Sequence, residues 1–468
     1  MKKFLFLFLF VAAVASAFTF VVAADEDMEG KKFVIHGEVR ERADYTNNLT
    51  DFTKEFSDSS LIYPYRARIG AEGHFSKDIV GYVEFQSFGH WGDQIPNRSG
   101  GTGPVGGNND TFSQFPFGPP NNFGEDTSTG TFNSVELYEA YIGLNHVRGS
   151  KFSLKFGRQE IVKGTEMLLG DNDFYNGISH DGILGSWAGD KFALDIWMTR
   201  PAQSSGVSVF GPAVGDHQSV NFYGAWADFG KFKDQANVSA YALYYENGVD
   251  AITPARRAFW TLGGRTGHMV TGKNGFNWNA ELAWQTGDQQ DPAGALGDNL
   301  SIKATGFEGM LGYNLHGGGY DQQFQVTYAR ASGDKDAGGL VSTPDKDAKS
   351  FDPLFQDSHG RYGFADLFTF SDLIAVSAGY HILRKDHTFG GDVWSFKLAE
   401  KVDFGAPLGE DDDLGKELDL WWKYQYTKNT QVTVAAAYFK PGNFIDDFLS
   451  PTNTDKGLRL VGNLRLRF

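Results

Sequence analysis

The chain has 468 residues, a formal net charge of −16, 58 Gly, 41 Phe, 19 Tyr and 10 Trp, and no cysteine. Disulfide staples, thiolate metal sites, covalent haem attachment and an acylated lipoprotein cysteine are therefore excluded, and a thiol-free chain crosses an oxidising periplasm without wrong pairings. Nothing in the sequence suggests nucleic-acid binding, and no cofactor motif is present.

The N-terminus reads as a transport signal. Lys2 and Lys3 form a positive region, Phe4 to Val14 an apolar one, and small-residue cleavage sites follow at Ala15-Ser16-Ala17 and Val22-Ala23-Ala24. Cleavage after Ala24 is expected, because Phe18 to Val22 is still apolar; this gives a signal peptide over 1–24 and a short acidic periplasmic segment over 25–32. The alternative is an uncleaved helical anchor, since Phe4 to Ala24 is just long enough to span a bilayer. No other apolar run approaches that length, so any further crossing must be made by strands.

From Phe33 onward period-two alternation recurs and sustained helical periodicity is hard to find. In VIHGEVRER, Ile35, Gly37 and Val39 alternate with His36, Glu38, Arg40 and Arg42. FNWNAELAWQ sets Trp278, Ala280, Leu282 and Trp284 against Asn277, Asn279, Glu281 and Gln285. Such runs predict about eighteen strands, an even number expected of large single-chain barrels. They begin near Phe33, Tyr63, Ile79, Asn133, Lys151, Ser179, Lys191, Gln218 and Ala236. Later onsets fall near Ala258, Gly275, Ser301, Tyr320, Asp372, Gly390, Lys416, Thr430 and Lys456.

The connections alternate in length. Residues 44–62, 90–132, 201–217, 403–415 and 441–455 are long; 76–78, a few residues around Val147, 188–190, 230–235 and 428–429 are short. Greek-key sandwiches have no reason to alternate so. The pattern predicts one all-β domain over 33–468: an antiparallel up-and-down transmembrane barrel with long extracellular loops, short periplasmic turns and both termini periplasmic. Formal charge places the acidity in the long loops and leaves the strands and short turns net positive. Acidic loops suit a surface where divalent cations bridge anionic lipopolysaccharide, so outer-membrane lipid and lipopolysaccharide are expected partners.

A sheet in hydrocarbon must close on itself, with its apolar parity outward and its charged parity around a water-filled lumen too wide for side chains to fill. Arg or Lys on the lipid face near mid-membrane costs about 2–4 kcal/mol, enough to orient each strand. Lumen candidates are Glu38, Arg40, Arg42, Arg66, Arg68, Glu72, Glu84, Lys155, Asp195, Glu281, Lys423, Arg459, Arg465 and Arg467. The arginines cluster in the first, second and last strands, which closure makes neighbours. Such a wall biases passage toward anions and suits the carboxylates of acidic sugars; alternatively the charges satisfy one another across the wall. In the closing strand LRLVGNLRLRF, the leucines and Phe468 are expected to face lipid while Arg459, Arg465 and Arg467 face the channel. A C-terminal aromatic on such a strand looks like the signal read by the outer-membrane assembly machinery, so removing Phe468 is expected to impair assembly more than conductance.

Several stretches resemble the alginate-export family of outer-membrane barrels. They are VIHGEVRERADYTNN, RARIGAEGHFSKDIVGYVEFQSFGHWGDQ, VELYEAYIGLNHVRGSKFSLKFGRQEIVKGTEMLLGDNDF, FDPLFQDSHGRYGFADLF and GKELDLWWKYQYTKNTQVTVAAAYFKPGNF, in order over nearly the whole mature chain. The resemblance implies an eighteen-stranded barrel in the outer membrane, passing an anionic polysaccharide through an arginine-rich lumen. By position it places Arg40, Arg42, Arg66, Arg68, Arg158 and Gln159 along the path. Alternation from Phe152, Leu154 and Phe156 puts Arg158 outside, so a bulge near Gly157 is needed to turn it inward.

Three function classes compete. The first is a channel for an anionic, saccharide-like solute, with a general diffusion porin as its unselective variant. The second is an enzyme on the barrel wall, but Ser179-His180-Asp181 places neighbours on opposite faces and cannot form a triad. The third is a sheath for a surface or electron-transfer partner, which would have to bring its own haem. Gly100–Gly107 lacks the Lys-Ser/Thr of a phosphate loop, and Glu410–Asp413 lacks calcium-loop spacing. The channel is the reading carried forward.

Overall fold

The computed structural model describes residues 32–49, 52, 59–91, 135–201, 220–232, 236–247, 256–290, 299–335, 346–403, 410–449 and 454–468. The transport signal, the acidic segment before residue 32 and most of the loops over 90–132 and 201–217 lie outside these residues.

In chain order the strands are β1 (Lys32–Asn47), β2 (Ser60–Ile62), β3 (Pro64–Ser76), β4 (Ile79–His90), β5 (Val135–Leu144), β6 (Phe152–Gln159) and β7 (His180–Ala188). There follow β8 (Ala193–Pro201), β9 (Asn221–Phe232), β10 (Ala236–Asn247), β11 (Arg257–His268), β12 (Gly275–Gln290), β13 (Asn299–Gly317) and β14 (Tyr320–Ala331). The last are β15 (Asp347–Ala348), β16 (Leu373–Arg384), β17 (His387–Asp403), β18 (Glu410–Gln425), β19 (Thr430–Pro441) and β20 (Gly457–Arg467). β2 and β15 are appendages of three and two residues, and the other eighteen form the wall. Each wall strand pairs antiparallel with the next, and β1 bonds both β3 and β20, so the sheet closes.

Every predicted onset lies within three residues of an observed one, except that the strand expected from Lys416 begins at Glu410. The Glu410–Asp413 run reads as a loop by composition, yet it pairs with the end of β17, and Asp412 takes the Lys397 ammonium at 3.0 Å. Strands that rise past the bilayer carry wet charges without penalty. Short connections gather at one end of the barrel together with Lys32 and Phe468; long ones gather at the other, here called the loop end. Between β13 and β14 the Gly318-Gly319 turn has φ of +61° and +82°, the two-residue hairpin geometry that favours glycine at both positions.

Outward parity is apolar over the middle of the wall. On β20, Leu460, Leu464, Leu466 and Phe468 are exposed while Arg459 is buried; on β12, Leu282 and Trp284 are exposed while Glu281 and Gln285 are buried. This reverses the soluble pattern, as hydrocarbon solvent requires.

The interior differs from expectation. In place of a lumen filled by water alone, the segments over 160–179 and 349–372 turn in from the loop end and pack across it. They meet through a bridge between Leu169 and Phe355, with Gly170 N–H to Phe355 O at 2.7 Å and Phe355 N–H to Leu168 O at 2.9 Å. Met167, Leu169, Phe351, Phe370 and the inward Phe222, Phe259, Phe396 and Phe439 are completely buried. Each such side chain contributes about 1.5–3 kcal/mol on burial, so these connections fold against the wall and not into solvent.

Candidate functional site: the constricted lumen

Backbone that enters a barrel must find hydrogen-bond partners there, and the arginine wall supplies them. On β1, Glu38, Arg40, Arg42 and Asp44 share the interior face. Arg40 lies opposite Arg66 of β3 and Arg465 of β20, while Glu38 lies opposite Arg68 and Arg467. Like charges facing each other across strands repel, so these guanidiniums need acceptors from elsewhere.

Residues 173–176 of the first inward segment provide them. Arg40 donates to Asp173 O at 2.5 Å and Tyr175 O at 2.7 Å, Arg42 to Phe174 O at 2.9 Å, and Arg68 to Asn176 O at 3.1 Å. Arg66, the largest fully buried side chain, donates to Asp173 O, to Asp173 Oδ1 at 2.5 Å and to Glu38 Oε1 at 2.6 Å. Arg465 reaches Asp173 Oδ2 at 3.2 Å, and Arg68 and Arg467 stand 3.6 Å from the same carboxylate. One carboxylate thus lies among four guanidiniums. Burial alone would raise its pKa; the Arg66 and Arg40 guanidiniums overcome that and hold Asp173 well below the usual carboxylate range.

Arg459 anchors the second segment, gripping Asp44 at 2.7 Å and Asp366 at 2.6 Å. Asp366 also accepts His359 Nδ1 at 2.7 Å and the Tyr175 hydroxyl at 2.5 Å, tying both segments to one wall. Further round the wall, on β12, β13 and β18, the contacts are acidic. Glu308 of β13 receives Arg361 at 3.0 Å through both oxygens and the Tyr362 hydroxyl at 3.0 Å. Glu417 accepts Ala365 N–H at 2.8 Å, Asp419 accepts Phe364 N–H at 3.2 Å, and Glu281 accepts the Thr165 hydroxyl at 2.9 Å. Arg257 and Arg265 of β11 are cations among them, and Arg257 reaches Asp352 at 2.7 Å.

The remaining sequence candidates distribute as follows. Glu84 lies 3.8 Å from Arg68, and Glu72 pairs with His74 nearer the turn end. Lys155 sits 4.4 Å over the Tyr141 ring, Lys423 5.2 Å over the Trp421 ring, and Asp195 pairs with Lys163. Gln159 is inward and wholly buried. Arg158 is not inward. It shares the outer face with Ala140 and Asp181, its cross-strand partners, and clasps Asp181 at 2.7 and 2.8 Å. Gly157 adopts φ +130°, but neither ladder shifts register there, so no residue is inserted and parity is kept. The bulge is instead at Tyr138 of β5, where Glu84 faces Glu139 and Phe85 faces Leu137. It turns Tyr138 inward, under the Arg68 guanidinium at 3.7 Å. His180 packs between Phe222 and Phe355 inside while Asp181 points out, so the Ser179-His180-Asp181 cluster is split by the sheet.

Asp173, Asp366, Arg361 and the Tyr138 bulge were not singled out from sequence. The available signal was apolar residues where a solvated loop should be polar: Met167-Leu168-Leu169, and Phe351 to Phe370. Among the described residues one carboxylate group, Glu166, Asp171 and Asp357, brings its oxygens within 4.8 Å of one another where the two segments meet.

A family model for alginate export matches residues 37–456. The chain belongs to the alginate-export family. No curated protein sequence matches it. Solved structures give the same fold. OccK11 (OpdR) of Pseudomonas aeruginosa is 13% identical over 93% of this chain and 96% of that one, with a TM-score of 0.52. OpdK of the same organism, solved with vanillate, is 12% identical over 93% and 99%, with a TM-score of 0.51. OccAB4 of Acinetobacter baumannii is 11% identical over 93% and 98%, with a TM-score of 0.54. At these identities the likeness is one of fold. This alginate-export barrel is an outer-membrane channel and not an enzyme.

Proposed function

We propose that this channel passes an anionic, saccharide-like solute of the alginate class, and that the solute's carboxylates exchange with Asp173 on the arginine wall. The observation that carries the reading is the Asp173 carboxylate lying among Arg66, Arg68, Arg465 and Arg467. Such a cluster is a built carboxylate site whose present occupant belongs to the chain itself. A uronate carboxylate offers the same two oxygens, and planar guanidinium forks suit them. Arg40, whose hydrogen bonds go to main-chain carbonyls that give it no counter-charge, remains attractive to a passing anion, whereas Arg42 stands 3.8 Å from Asp44. The sheath reading is less well supported, because a partner threaded through the barrel would have to displace both inward segments.

Single-channel recording in a planar bilayer under a salt gradient tests this. The expected result is anion selectivity, with current blocked by oligomers of an acidic sugar. Asp173→Asn removes the internal competitor and should lower the blocking concentration about tenfold. A cation-selective pore, or block by neutral sugars equal to block by acidic ones, would overturn the reading.

A further inference from the structure

The outer face of β6 to β11 carries three successive rows that the channel reading does not use. Along the strand pairings, the first row is Leu154, Gly185, Ile196, Ala225 and Ala242, where glycine and alanine leave the wall thin. One step toward the loop end come Phe156, Ile183, Met198, Tyr223, Tyr244 and Trp260. One step further stand Arg158, Asp181 and Arg200, then Asn221 and Glu246. The bulky second row over the thin first row encloses a shallow apolar groove of about 730 Å³, which also reaches Trp187 and Trp260. At its head Arg158 is held by Asp181, Arg200 reaches Asn221 at 3.2 Å, and Arg256 reaches Glu246 at 2.7 Å. Among the described residues of β6 to β11 these three guanidiniums face two carboxylates, and Arg200 has the Asn221 amide as its partner.

Among the described residues the wall strands are also shortest here. β6, β7 and β8 have 8, 9 and 9 residues, against 19 in β13 and 17 in β17. At the loop end the guanidiniums therefore lie close above the hydrocarbon boundary that the aromatic row marks.

We propose that this face binds a phosphorylated outer-leaflet glycolipid, its phosphate at Arg158 and Arg200 and its acyl chains in the groove. The occupant follows from complementarity. A second copy of the chain would bring its own Arg158 and Arg200 against these, and an uncharged lipid would leave the row of arginines unused. Phosphate accepts bidentate guanidinium contacts, and the groove is apolar only on the hydrocarbon side of the aromatic row.

The test uses the full-length protein in detergent, titrated with bisphosphorylated hexa-acyl lipid A and followed by native mass spectrometry. One tightly retained lipid per barrel is expected. Arg158→Gln with Arg200→Gln should weaken retention at least tenfold, and Ala242→Trp, which fills the groove with a side chain suited to a lipid face, should weaken it comparably. Heat-modifiable gel mobility confirms that each variant is a closed barrel. Retention unchanged in both variants overturns the proposal, as does equal retention of a dephosphorylated analogue. A dimer mass in place of bound lipid also overturns it and makes the groove an interface between copies.

Discussion

Two sets of strands in the lumen wall hold the same pair of inward segments by opposite chemistry. The arginine wall of β1, β3 and β20 grips carbonyl oxygens and the Asp173 and Asp366 carboxylates. The acidic side chains of β18 grip backbone N–H groups, and Glu308 of β13 grips the Arg361 guanidinium. An anion arriving in the lumen competes for the first set of contacts and is repelled by the second. Loosening of the constriction by an anionic solute should therefore begin on the arginine side, with the acidic side acting as a hinge.

Breaking the arginine side should have the largest effect. Arg66→Ala leaves Glu38 and Asp173 bridged only by the more exposed Arg467, and removing one partner from a buried ion pair costs about 3–5 kcal/mol. The expected outcome is a larger single-channel current with selectivity moved toward cations, read from the reversal potential. The acidic side should respond less and differently. Glu308→Gln keeps an acceptor for Arg361 but removes the charge, a loss of about 1.5–3 kcal/mol. It should increase current fluctuations without moving selectivity toward cations; an equal shift in both variants would abolish the distinction between the walls.

The smallest effect concerns the junction of the two segments and titrates. Burial first, then repulsion from Asp171 and Asp357, raises the Glu166 carboxyl to about 7, and burial raises Asp171 and Asp357 as well. Carboxyls raised in the packed state favour packing while protonated. The segments should thus be held most firmly below about pH 4.5, the ordinary carboxyl range, and progressively less as pH rises through about 7. Mean conductance should increase between about pH 5 and 8, and Glu166→Gln should flatten that rise.

Much of the wall was legible because hydrocarbon imposes one rule on every strand: the LRLVGNLRLRF parity alone separates Leu464 from Arg465. The same rule placed Arg158 outside by counting from Phe156, and the carry-over by family position that moved it inward was wrong. The constriction was not legible. Arg40 meets Tyr175 from 135 positions away, and no periodicity reports which carbonyl a long side chain will find. Nor does alternation reveal a bulge such as Tyr138, where one extra residue redirects a ring. Composition carried a partial sign, since Met167-Leu168-Leu169 is too apolar for a solvated loop.

The seam between the first and last strands has a consequence for how the channel comes into being. Gly37 and Phe468 exchange two backbone hydrogen bonds, of 2.9 and 3.0 Å, and Arg40 faces Arg465 across the same junction. The cradle around Asp173 draws its cations from both termini of the chain, so a sheet still open at that junction has half a cradle. Sealing the barrel and creating its grip on anions are therefore one event. A protein stalled before closure would be not merely leaky but a poorer judge of the charge of what leaks.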